Sequence, residues 1–145
     1  MGHMGTHNTT VQRSFRLSRR TLELLDAMAQ AVGGSRNSLA DRLLGEAIRI
    51  ETHPLIRFQT GAAGRRQPLL VGTRLYVHQV IATLRASDND IAEVADYLGI
   101  HPRQVQAALA YYADFAEEVD EDAAAARRLE QEERARWERQ QQVLA

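Results

Sequence analysis

Apolar residues alternate with polar ones from Thr9 to Leu17. Val11, Phe15 and Leu17 fall on one face and Gln12, Ser14 and Arg16 on the other, the two-residue period of a strand. Arg13 interrupts the apolar face, so it is expected where the strand begins and opens to solvent. The period then changes to that of a helix. Ser18 is a natural N-cap, and Leu22, Leu25, Ala29 and Val32 follow at helical spacing over residues 19–32. Gly33-Gly34 ends this helix, and Ser35 or Ser38 caps a second one with Leu39, Leu43, Ala47 and Ile50 along one side. The strand has no partner within this segment, and two short helices cannot bury a core. A second copy of the chain supplies both needs: two strands pair antiparallel and four helices close beneath them.

Residues 53–119 read as another unit. Pro54, Gly61, Gly64 and Pro68 make 53–68 loop-like, with Leu55–Phe58 a short strand inside it. Residues 69–77 are β-rich around Gly72, as a tight hairpin or a bent strand. Three helices follow. The first lies near 77–86; the second begins at Asp90, with Glu93 at capping-box spacing, and runs to Leu98, with Gly99 as its stop. The third opens with Pro102 in its first turn and carries Val105, Ala108, Leu109 and Tyr112 inside. The spacing of Ile91, Val94, Ala95 and Leu98, then Gly99-Ile100 and Val105, is that of a helix-turn-helix.

The remaining residues, 120–145, form a tail. An alanine run leads into a helix-prone charged stretch in which Trp137, the only tryptophan of the chain, stands among Arg134, Arg136 and Arg139. With only Leu129 and Val143-Leu144 for further apolar support, the tail is expected to be frayed or disordered when free and to fold on a partner. The alternative is a solvated extension.

Charge refines this division. All 18 basic residues are arginine. Residues 1–50 and 51–80 each carry a net +3, residues 81–113 carry −2, residues 114–122 carry −6 and the tail +1, within a total of −1. A basic front, an acidic belt and a mixed tail suggest different partners for different parts, unless each face is simply solvated. The 145 residues contain no cysteine, which excludes disulfides, thiol nucleophiles and thiolate zinc sites and fits a reducing cytoplasm. No apolar run is long enough for a membrane span. Residues 1–8 read as a disordered leader, with Met1–Met4 resembling an expression tag. His53, His78 and His101 lack ligand spacing, Asp88-Asn89-Asp90 with Glu93 is better explained by capping than by calcium, and no nucleophile elbow or phosphate loop occurs. No enzyme activity, cofactor or metal is expected.

The run Arg13-Ser14-Phe15-Arg16-Leu17-Ser18 into a helix, with Gly34-Ser35-Arg36-Asn37-Ser38 opening the next, resembles the ribbon-helix-helix family of bacterial DNA-binding proteins over residues 9–52. That resemblance implies base contacts from Gln12, Ser14 and Arg16 in the major groove, whose side-chain chemistry suits adenine, either base and guanine. It implies phosphate contacts from Arg13, Ser35, Arg36, Asn37 and Ser38 at the start of the second helix. Gly72-Thr73-Arg74 and Ala108-Leu109-Ala110-Tyr111 in turn resemble a small bacterial domain family of formerly unknown function, built on a homeodomain-like trihelix. Its members are often VapB-like antitoxins paired with PIN-domain, VapC-type ribonucleases. The implied fold is mainly α: a dimeric ribbon-helix-helix, a small hairpin with a helix-turn-helix-like domain, and a helical or disordered tail. The implied function is a cytoplasmic bacterial antitoxin that represses its own operator as a homodimer or higher even-numbered assembly. Its tail residues Arg134, Arg136, Trp137 and Arg139 would bind the toxin, one arginine entering the carboxylate cluster around Mg²⁺. The middle domain, in a net-acidic segment, is expected to contact protein rather than DNA. A stand-alone repressor without a toxin is the alternative.

Overall fold

The computed structural model describes residues 9–145; the expectations for residues 1–8 lie outside the described residues. The chain divides into two compact units, residues 1–44 and 45–145, with the dividing line inside a helix. The described elements are α1 (Arg19–Val32), α2 (Arg36–Thr52), β1 (Ile56–Thr60), β2 (Arg66–Leu70), α3 (Val77–Ala86), α4 (Ile91–Leu98) and α5 (Pro102–Leu144).

In the first unit, Ser18 caps α1 by accepting a hydrogen bond from the Thr21 amide at 3.1 Å, and Gly33 closes it. α1 has no buried residue. Of its expected stripe Leu22 and Val32 are exposed and Leu25 and Ala29 half-buried; Leu24 and Met28 beside it are exposed, as are Val11, Phe15 and Leu17 before it. Among the described residues of this unit only Leu39 is buried. Residues 11–17 carry no regular secondary structure, and the one sheet among the described residues is β1–β2.

The second unit has a continuous core: Ile56 and Leu70 of the hairpin, Val77, Val80, Ile81 and Leu84 of α3, Val94 and Ala95 of α4, and Val105, Ala108, Tyr111 and Val119 of α5. β1 and β2 pair antiparallel with Ile56 opposite Leu70 and Thr60 opposite Arg66. Pro68 stands opposite Phe58. The flanking bonds Gly61 N–H to Arg65 C=O and Val71 N–H to Leu55 C=O place the exchanged pairs at odd positions of β1. Pro68 therefore falls at a non-bonded pair and its missing N–H costs the ladder nothing. That is how β2 runs through a stretch whose prolines read as loop. The turn between β1 and β2 places Gly64 at φ 78°, a left-handed conformation that favours glycine.

The three helices lie where the pattern places them. Asp90 caps α4 by accepting from the Glu93 amide at 3.1 Å, and Gly99 ends it in the left-handed region at φ 68°. His101, not singled out from sequence, caps α5, with Pro102 in the first turn. The inner face of α5 is rotated from expectation. Tyr111 is fully buried, whereas Leu109 is exposed and Tyr112 only half-buried.

At the C-terminus the helical alternative for the tail is the one seen. α5 continues to Leu144, interrupted only by non-helical angles at Phe115 (φ −134°, ψ 40°), so the tail is helical. Val119, Asp122 and Ala125 are buried on either side of residue 120. The physical reason is nucleation. Residues 116–125 are held by packing, and the run of good helix formers after them needs only propagation.

Candidate nucleic-acid interface

Gln12, Arg13, Ser14 and Arg16 are all exposed, on the segment that precedes the Ser18 cap. At the start of α2, Ser35 Oγ accepts from the Ser38 amide at 3.0 Å and donates to Ser38 Oγ at 2.8 Å. This cap occupies one of the amides at that helix start. Arg36 is engaged: its Nη1 lies 2.9 Å from Asp26 Oδ1 of α1, both side chains more than half exposed. An exposed pair of this kind contributes about 0–1 kcal/mol, so a phosphate competes with Asp26 for Arg36 at little cost. A shallow depression of about 530 Å³ lined by Asp26, Gln30, Gly33, Gly34 and Arg36 opens beside this helix start.

Several basic residues of the second unit are paired within it. Arg49 Nη2 bonds Glu118 at 2.7 Å and its guanidinium stacks 4.8 Å over the Phe115 ring. His53 Nε2 meets Asp114 at 2.8 Å. Arg65 binds Asp122 Oδ1 through Nε and Nη2 at 3.2 and 3.1 Å, with Glu121 at 3.6 Å. Arg66 grips Glu46 at 2.7 and 3.0 Å, and this partner raises its pKa. Tyr112 donates to Asp120 at 2.9 Å and accepts from Arg85 at 2.6 Å. Within the acidic belt 114–122, Glu118 thus pairs with Arg49, and Glu121 and Asp122 with Arg65. The belt and the two arginines Arg49 and Arg65 are partners of each other, which sequence reading missed by treating each charge block as a separate surface. The block charges, −6 facing +3, were the available signal. The net positive charge lies in the first unit, where residues 9–44 carry six arginines against three acids, while residues 45–145 carry a net −4.

The clasp between Arg65 and Asp122 yields a pH prediction. Asp122 is 3% exposed, and burial raises its carboxyl pKa above the usual range against the pull of Arg65. A raised folded-state pKa means that ionised Asp122 works against folding, and that this cost fades as pH falls through the folded value towards the unfolded one near 3.9. Arg65→Gln removes the compensating cation. Arg65 is 39% exposed, which brings the 3–5 kcal/mol typical of a broken buried pair down to about 2 kcal/mol. Denaturant unfolding should show a deficit of about that size at pH 7 that shrinks towards pH 4. A deficit constant with pH would show that Asp122 is not its source.

Other candidate chemistry is absent among the described residues. No group of three or more His, Asp or Glu side chains is placed to hold a metal ion, and no helix is long and apolar enough to cross a membrane. His78 stacks on Tyr76 at 5.9 Å between centroids, and burial together with Arg127 lowers its pKa.

On α5, Arg134, Arg136, Trp137 and Arg139 are exposed, Trp137 by 59%. Among the described residues no ion pair engages these three arginines. No curated protein and no solved structure matches the chain. Residues 64–112, which span β2, α3, α4 and the start of α5, are similar to the family described as Protein of unknown function (DUF433).

Proposed function

We propose that the chain is a DNA-binding dimer of ribbon-helix-helix type that represses its own operator, and an antitoxin whose tail neutralises a PIN-domain ribonuclease. One observation carries the reading. The first unit is incomplete as a single chain, because α1 buries nothing, its apolar stripe is only partly covered, and residues 11–17 present alternating apolar and polar side chains without a strand beside them. Full burial of a side chain of this size is worth about 1.5–3 kcal/mol relative to full exposure, and a second copy covers the part of Phe15, Leu22, Met28 and Val32 that is still exposed. The paired strands then turn Gln12, Ser14 and Arg16 outward together, on the unit that holds the net positive charge. DNA binding is supported by that charge, and by a helix start at Ser35–Ser38 suited to a phosphate. The antitoxin half of the reading is supported by an α5 end that has no core of its own and carries a large aromatic among cations.

The test uses the duplex upstream of the chain's own reading frame, with a scrambled duplex as control, in anisotropy titrations at two salt concentrations. The wild-type protein should prefer the upstream duplex. Arg16→Ala should lose roughly 1–3 kcal/mol per base contact on that duplex alone. Arg36→Ala should weaken both duplexes and flatten the salt slope by about one. Equal wild-type affinity for the two duplexes would remove the operator-binding role.

A further inference from the structure

Acids are scarce in the first unit: Glu23, Asp26 and Asp41 stand against six arginines in residues 9–44. Glu23 reaches Arg20, three residues back on its own helix, at 3.9 Å. Asp26 reaches further. Its Oδ1 accepts from Arg36 Nη1 at 2.9 Å across the Gly33-Gly34 turn, and among the described residues this is the one ion pair that joins α1 to α2. The contact runs through a single nitrogen, whereas Arg65 and Arg66 each hold a carboxylate through two. Both side chains are more than half exposed. The depression that Asp26 and Arg36 share with Gly33 and Gly34 is open, since a Cβ on either glycine would meet no atom within 4 Å.

A carboxylate and a phosphodiester offer a guanidinium the same thing, a pair of oxygens that carry negative charge. The two therefore compete for Arg36, and the Asp26 carboxylate also repels any phosphate that comes close to it. We propose that Asp26 is a built-in brake on DNA binding. The inference rests on the DNA-binding reading above and names the residue that restrains it. In the free protein Asp26 occupies Arg36 and sets a negative charge at the start of α2. Binding exchanges Asp26 for a backbone phosphate, and the weak single-point contact makes that exchange possible. Phosphates carry no sequence information, so the brake lowers the affinity for every duplex by one factor. Choice among duplexes is left to Gln12, Ser14 and Arg16.

The experiment uses the full chain and titrates the upstream and scrambled duplexes by anisotropy. Asp26→Asn keeps the shape of the side chain and removes its charge. At low salt it should tighten both duplexes by a similar factor, roughly threefold to tenfold for a dimer that carries the pair twice. At high salt the gain should fade, because exposed charges are screened. Glu23→Gln makes the same change of charge on the same helix and should alter affinity by less than about twofold. In a chain that already carries Arg36→Ala, Asp26→Asn should gain less than about twofold, because the competition has gone. Unchanged or weaker binding by Asp26→Asn, with Arg36→Ala weakening both duplexes, overturns the inference and leaves the DNA-binding reading intact; Asp26 then holds Arg36 ready for the phosphate. An equal gain from Glu23→Gln, or an undiminished gain beside Arg36→Ala, also overturns it, because net charge alone then explains the effect. A gain confined to the upstream duplex does the same. A wild-type chain that binds neither duplex ends the DNA-binding reading, and the inference with it.

Discussion

A chain carrying Leu22→Asp and Met28→Asp should sediment as a monomer at micromolar concentration and lose specific DNA binding. Both side chains are exposed in the single chain, at 40% and 45%, so a carboxylate at either position costs an isolated protomer almost nothing. In a dimer that covers α1 the same carboxylates are buried without partners. Each then carries a desolvation penalty of several kcal/mol on top of the lost apolar burial. The two copies double the effect, which exceeds what an interface of two short helices and two strands supplies. Thermal unfolding monitored by near-ultraviolet signals from Tyr111 and Tyr112 should change little, because these residues belong to the second unit. A double variant that remains a dimer with wild-type DNA affinity would place the self-association outside α1.

Ending the chain at Arg128 should abolish inhibition of the partner ribonuclease while leaving dimerisation and DNA binding as they are. The cut follows from packing. Ala125 is the last buried residue, so removing 129–145 strips no buried core side chain and should change stability by less than about 1 kcal/mol. A cut at residue 122 is a different experiment, because it removes Ala125 and leaves Asp122 at a free end. It should lower stability as well as inhibition. Urea unfolding and a ribonuclease assay on the two truncations separate the effects. Wild-type inhibitory potency in the chain ending at Arg128 would assign inhibition to the second unit.

Much of this architecture was legible because local signals agreed with one another. Asp90 with Glu93, the Gly99 stop and Pro102 each mark a helix boundary by its own mechanism, and all three boundaries stand where those residues put them. The hairpin was less legible. Pro68 argues against a strand unless its place in the ladder is known, and that place depends on the register with β1, a pairing no single segment encodes. The rotation that buries Tyr111 instead of Leu109 has a similar origin. His53 and Phe58 reach Tyr111 from other elements, with ring centroids 5.1 and 6.3 Å away, and helical period alone cannot tell which of two adjacent apolar residues those elements meet. The acidic belt was misread for the same reason. Arg49 and Glu118 are 69 residues apart in sequence and 2.7 Å apart in space. The exposed residues proposed to touch DNA and the partner were the easiest to name, since their polar and charged types are read directly from the sequence.

The central claim is that residues 11–17 form one strand of a ribbon between two copies of the chain. Mixed-label NMR tests it most directly, using equal parts of ¹⁵N,¹³C-labelled and unlabelled chain and recording only intermolecular proton contacts. The account predicts contacts between protomers within residues 11–17, in antiparallel register, and from Leu22 and Met28 to the other copy. Intermolecular contacts confined to residues 45–145, or none at all with residues 11–17 sharp and unpaired, would contradict it.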